Sequence, residues 1–108
     1  MTDQQRWDAM GCTSDWVRTP NIDRIANEGT LFTQCITTTP VCVPSRLTLA
    51  TGRYPHNTGV LGLAHAHFGW QLDKTIPHIA KYLSNNGYRT MLFGLQHLTY
   101  QEKSLGFN

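Results

Sequence analysis

The chain has 108 residues, 40% apolar and 15% charged, which rules out a disordered acidic or basic tail. Nine Lys and Arg against seven Asp and Glu leave a formal charge of +2, too small an excess for a nucleic-acid partner. No apolar run approaches the roughly 18 residues of a membrane span, and the three cysteines leave at least one thiol outside any disulfide framework.

Residues 19–29 carry complete helix punctuation: Thr19 as the cap, Pro20 in the first turn and Gly29 past the last. Ile22, Ile25 and Ala26 recur at helical spacing, which predicts that one face rests on a core. Residues 30–36 read as a short strand and 37–43 as a loop. A second helix is predicted from Pro44 to near Gly52, with Leu47 and Ala50 facing inward. The stretch 53–70, rich in Gly and His and without periodicity, reads as an ordered functional loop. A third helix starts at Thr75-Ile76-Pro77, carries Ile76, Ile79, Ala80 and Leu83 as its apolar stripe, and stops at Gly87. Residues 88–94 read as a buried strand entering a turn.

Helix followed by strand, twice over, predicts an α/β fold with a mainly parallel sheet flanked by helices. Sites in such folds gather at the C-terminal ends of the strands. So few elements bury little surface on their own. The expectation is therefore that residues 1–108 are a truncated fragment of a larger domain.

The stretch Cys42-Val43-Pro44-Ser45-Arg46, followed by Thr51-Gly52-Arg53, carries the chemistry. A thiol stands two residues before a helix-opening proline. Helix N-termini offer free N–H groups and partial positive charge, which attract anions and favour a thiolate. Arg46, one turn further, adds a guanidinium fork suited to a tetrahedral oxyanion. The same spacing also fits a buried structural cysteine in a capping turn.

This stretch resembles the signature of type I sulfatases, in the alkaline-phosphatase superfamily. The resemblance implies that Cys42 is oxidised after synthesis to Cα-formylglycine by a formylglycine-generating enzyme, with Pro44 and Arg46 in the recognition sequence. The hydrated aldehyde is then the nucleophile: one hydroxyl attacks sulfur, and deprotonation of the second expels sulfate. Met1-Thr2-Asp3-Gln4-Gln5 is similar to the family's opening metal loop. That implies Asp3 and Gln4, with the residue at position 42, as ligands of a divalent cation. Oxygen donors suit calcium, with magnesium as the alternative. Without that context the same residues read as a solvated polar N-terminus.

Residues 19–26, with Gly29 and Phe32, resemble the family's first helix and the strand that follows it, and their role is structural. Gly87-Tyr88-Arg89-Thr90 through Phe93-Gly94-Leu95-Gln96-His97 resembles Gly-Tyr-x-Thr…Gly-Lys-x-His. His97 thus matches a histidine that touches nucleophile and sulfate, and it is expected to act as the base. Leu95 stands where a lysine is expected. Arg53, His56, His65 and His67 are candidates for the missing positive charge, although none matches a family position. Residues 57–68 and 105–108 resemble the heparan N-sulfatase-like branch.

The resemblance implies a sulfuric ester hydrolase acting on sulfate esters or N-sulfates of a small molecule or glycan. Phosphonate monoester and phosphodiester hydrolases of the same superfamily share the formylglycine signature and are the alternative, as is an inactive truncated fragment. A zinc module built from Cys35, Cys42, His56 and His65 lacks the CxxC or HxxxH spacing of structural zinc sites. Family members are often exported, but the sequence assigns no compartment.

Overall fold

The computed structural model describes residues 1–63, 69–95 and 97–98. The chain divides into two compact units, Met1–Ile36 and Thr37–Asn108, each held together in its own way.

The first unit contains α1, Pro20–Glu28. Its predicted inward face does not form: α1 has no buried residue, and Ile25 is 68% exposed. Polar bonds fix it instead. Thr19 occupies the cap position, yet its hydroxyl does not cap the backbone. It donates to Asp23 Oδ1 at 2.7 Å and accepts from the Gly11 amide at 2.8 Å. Asp23 Oδ1 also accepts from the Cys12 amide at 2.9 Å. The carboxylate therefore gathers the 10–14 turn onto the helix start. Gly11 packs so closely on Asp23 that a Cβ there would collide with the carboxylate.

The second unit contains α2 (Cys42–Thr51), α3 (Pro55–Thr58) and α4 (Ile79–Asn85). Val43 and Leu47 of α2, four residues apart on one helical face, are buried together with Val60. Leu63, Trp70, Leu72 and Leu98 pack around this cluster. Each fully buried aliphatic side chain contributes about 1.5–3 kcal/mol relative to exposure, so this small cluster is what anchors α2. Leu47 thus faces inward as expected, while Ala50 is half-buried. Gly52 ends α2 at φ 67°, and its amide bonds to the Thr48 carbonyl at 2.8 Å. That left-handed geometry is why glycine stands there.

The 53–70 stretch includes one helical turn, α3, which presents the buried Thr58 and is followed by the fully buried Val60. Before α4, Asp73 Oδ1 accepts from the Thr75 amide at 2.8 Å and from its hydroxyl at 2.7 Å. These bonds, the amide's first, hold the Asp73 carboxyl below its ordinary value. They also close a turn at 73–76, with the Ile76 amide on the Asp73 carbonyl, so α4 begins at Ile79 and not at Thr75. Only Ala80 of its predicted stripe is buried; Ile79 is exposed. The stop near Gly87 is kept, with Gly87 and Tyr88 amides returning to Ser84 and Leu83 carbonyls.

Neither predicted strand is present among the described residues. Residues 30–36 and 88–94 are irregular, and Phe32, Ile36 and Phe93 are exposed. A strand exists only as one side of a hydrogen-bonded ladder, and these segments have none. The sheet expected from sequence is thus not seen among the described residues.

Candidate active site

Helix α2 opens at Cys42, two residues earlier than Pro44. Its first backbone bond runs from the Ser45 amide to the Val41 carbonyl at 3.0 Å. Proline fits within the first turn because an N–H there has no intrahelical partner in any case. Helical geometry likewise gives the Cys42 and Val43 amides no intrahelical acceptor. No side chain caps this end and no acidic residue lies in the first turn, which leaves the positive end of the helix dipole facing Cys42.

The earlier start has a consequence for the site. Cys42 and Arg46 now stand at helical positions i and i+4, one above the other on a single face. Val43 and Leu47, one residue on, repeat the same spacing on the neighbouring face, and they are the buried pair. One stripe of α2 therefore anchors it, and the adjacent stripe presents the thiol and the guanidinium, both half-buried.

The preceding loop is pinned to the same helix. The hydroxyls of Thr37 and Ser45 lie 2.9 Å apart, and Thr38 donates to Thr48 at 3.0 Å. Arg46 Nη1 donates to the Leu95 main-chain carbonyl at 3.4 Å. Two residues later comes His97, half-buried and at φ 48°. A left-handed backbone is uncommon outside glycine; Gly94 also has a positive φ, 88°. Contact between Arg46 and Leu95 thus brings the segment bearing His97 to α2. The Leu95 side chain, where a lysine was expected, is exposed.

Asp3 and Gln4 lie in the first unit and are exposed, with Gln4 at φ 49°. Among the described residues, no three His, Cys, Asp or Glu side chains converge as a metal site. Asp3 and Gln4 offer the hard oxygens a divalent cation takes, but fewer than the six to eight that calcium requires. The fit is right in kind and partial in number.

Of the other candidates, Arg53 is exposed and donates its amide to the Thr51 hydroxyl at 3.2 Å. His56 stacks on Tyr54 with centroids 5.6 Å apart. His65 and His67, and most of the segments that suggested the heparan N-sulfatase-like branch, lie outside the described residues. Cys12, Cys35 and Cys42 are all free thiols. No described helix is long and apolar enough to cross a membrane. Two features had no sequence signal: the Leu95 carbonyl as partner of Arg46, and His78, which is buried and caps α4.

The family model described as Sulfatase matches residues 1–108. Human arylsulfatase H is 40% identical over 89 residues, covering 76% of this chain and 16% of that protein. The N-acetylglucosamine-6-O-sulfatase of Bacteroides thetaiotaomicron is 38% identical over 99 residues, covering 91% and 17%. An arylsulfatase of Clostridium perfringens is 34% identical over 110 residues, covering 100% and 22%. The crystal structure of YidJ from Bacteroides fragilis, described as a sulfatase, superposes with a TM-score of 0.81 at 36% identity, over 93% of this chain and 23% of that one.

The chain thus spans between 16% and 22% of the length of these three relatives. They are aryl and glucosamine sulfatases, which neither narrows the chain to a heparan N-sulfatase-like branch nor favours a phosphonate hydrolase. With the signature around Cys42 set at a helix start and the family model matched from residue 1 to residue 108, the chain belongs to the sulfatase family.

Proposed function

We propose that this chain is the N-terminal part of a catalytic domain that hydrolyses sulfate esters or N-sulfates, and that it carries the nucleophile's end of the site. The observation that supports this most is the stacking of Cys42 and Arg46 on one face of α2, with Arg46 tied to the segment that bears His97.

In this reading a formylglycine-generating enzyme converts Cys42, and the resulting aldehyde hydrate supplies the attacking oxygen. A divalent cation, calcium or magnesium, supplies Lewis-acid charge neutralisation when bound, with Asp3, Gln4 and the modified residue 42 as this chain's share of its ligands. The N-terminus of α2 receives the sulfate oxygens through its free amides. Arg46 places its fork against the same oxygens and stabilises negative charge as it develops. His97 takes the proton whose removal expels the sulfate. The Leu95 carbonyl keeps Arg46 oriented, a task a backbone oxygen performs whatever the side chain. The substrate is a sulfated small molecule or glycan.

The test uses a chimera in which residues 1–108 replace the matching segment of the Clostridium perfringens arylsulfatase, co-expressed with a formylglycine-generating enzyme. Aryl sulfate turnover that disappears with Cys42→Ala, and exceeds turnover of the matching aryl phosphonate, is the expected result. A folded, formylglycine-bearing chimera without sulfate turnover, or with phosphonate preferred, would overturn the reading. The 108-residue chain alone should turn over negligibly, and clear turnover by it would contradict the partial-domain assignment.

A further inference from the structure

An open cavity of about 390 Å³ lies between the last turn of α2 and the start of α4. On the α4 side it is walled by His78, Ile79 and Tyr82. Ile79 and Tyr82 are exposed, but His78 is only 7% exposed. His78 Nδ1 accepts the Lys81 amide at 3.4 Å, so an imidazole stands where Ser, Thr, Asp or Asn usually caps a helix.

Imidazole accepts at Nδ1 only while that nitrogen carries no proton, with the ring's hydrogen on Nε2. Protonation turns the acceptor into a donor aimed at another donor. It also sets a full positive charge against the positive end of the helix dipole, with Lys81 close by. A Ser or Asn cap has no such dependence.

We propose that His78 is an acid-released latch: neutral, it caps α4 and holds its first turn beside the end of α2, and protonated, it frees that turn and opens the cavity wall. Lys81 is the charge facing it from its own helix. Of the described residues lining the cavity, Tyr82 is the only other ionisable group, and Leu49–Gly52 of α2 contribute none. No carboxylate in that lining is placed to receive an imidazolium.

Burial first, and Lys81 second, hold His78 below its ordinary value of 6.5. Because the folded value lies below the unfolded one, the cap's contribution is complete above 6.5. It is lost as pH falls through the lower folded value.

The test is amide hydrogen exchange by NMR on the folded chimera with the Clostridium perfringens arylsulfatase at about pH 7.5 and about pH 5, on either side of an ordinary histidine's titration. His78→Asn, which caps without titrating, is the companion variant. Protection of the Lys81 amide, corrected for intrinsic exchange, should fall about fivefold at the lower pH, the worth of one helix cap. The same amide in His78→Asn should keep its protection. Equal protection of the parent chimera at both pH values, an equal loss in His78→Asn, or an unprotected Lys81 amide at the higher pH would each overturn the proposal.

Discussion

Arg46 donates through Nη1 to the main-chain carbonyl of Leu95 across 3.4 Å, and this bond links the helix that begins with Cys42 to the segment that carries His97. The partners stand 49 positions apart in sequence. A guanidinium presents its N–H donors in a rigid planar fork, a geometry suited to an anion.

Arg46→Lys keeps the charge and removes the planar fork. In the chimera with the Clostridium perfringens arylsulfatase, this change should lower kcat on aryl sulfates by about 10²–10³, the cost of one lost oxyanion donor. Steady-state kinetics would check it. A kcat within a factor of about two of the parent, well below that cost, would remove Arg46 from the charge-stabilising role.

Leu47→Ala removes the largest fully buried side chain of α2, only 1% exposed. The expected loss is about 2–5 kcal/mol of unfolding free energy, read from urea unfolding followed by circular dichroism. Leu49→Ala, on the same helix but 71% exposed, should stay within about 0.5 kcal/mol of the parent. Equal losses at the two positions would show that the cluster around Val43, Leu47 and Val60 does not hold α2.

Asp3→Ala removes the one carboxylate in the opening loop. In the same chimera, calorimetric titration with calcium should show affinity reduced by at least the ~10–100-fold that even outer-shell partners of a metal typically cost. An unchanged titration would leave Asp3 as a solvated N-terminal residue.

Helix positions were legible in sequence because proline, glycine and apolar spacing act locally. Gly29, Gly52 and Gly87 each fall just beyond a helix, as expected. Helix α2 starts two residues before Pro44, since every amide of the first turn lacks an intrahelical partner and proline is tolerated there beyond its favoured first position. The faces of α1 and α4 were misjudged because amphipathic spacing says which residues share a face, not whether anything covers it. Ile25 and Ile79 lie on the predicted stripes and remain exposed. Residues 30–36 and 88–94 have strand-like composition, but a strand is a property of a pair, which one segment's pattern cannot supply.

The site was legible in part. The motif around Cys42 is contiguous and specific. That Cys42 and Arg46 share a helical face depends on where α2 starts, and the Leu95 carbonyl has no residue-type signature at all. The Asp23 network escaped for a similar reason: Thr19 looked like a backbone cap, whereas its hydroxyl serves a carboxylate one turn on. His78 is an unusual capping residue, so no pattern marks it.

Peptide mass spectrometry of the chain co-expressed with a formylglycine-generating enzyme bears directly on the position of the nucleophile. Cys42 at the open N-terminus of α2 should be converted to formylglycine, while Cys12 and Cys35 remain thiols. A Cys42 peptide recovered unmodified under conditions that convert a known sulfatase, or conversion at Cys12 or Cys35 instead, would contradict the assignment of Cys42 as the reactive centre.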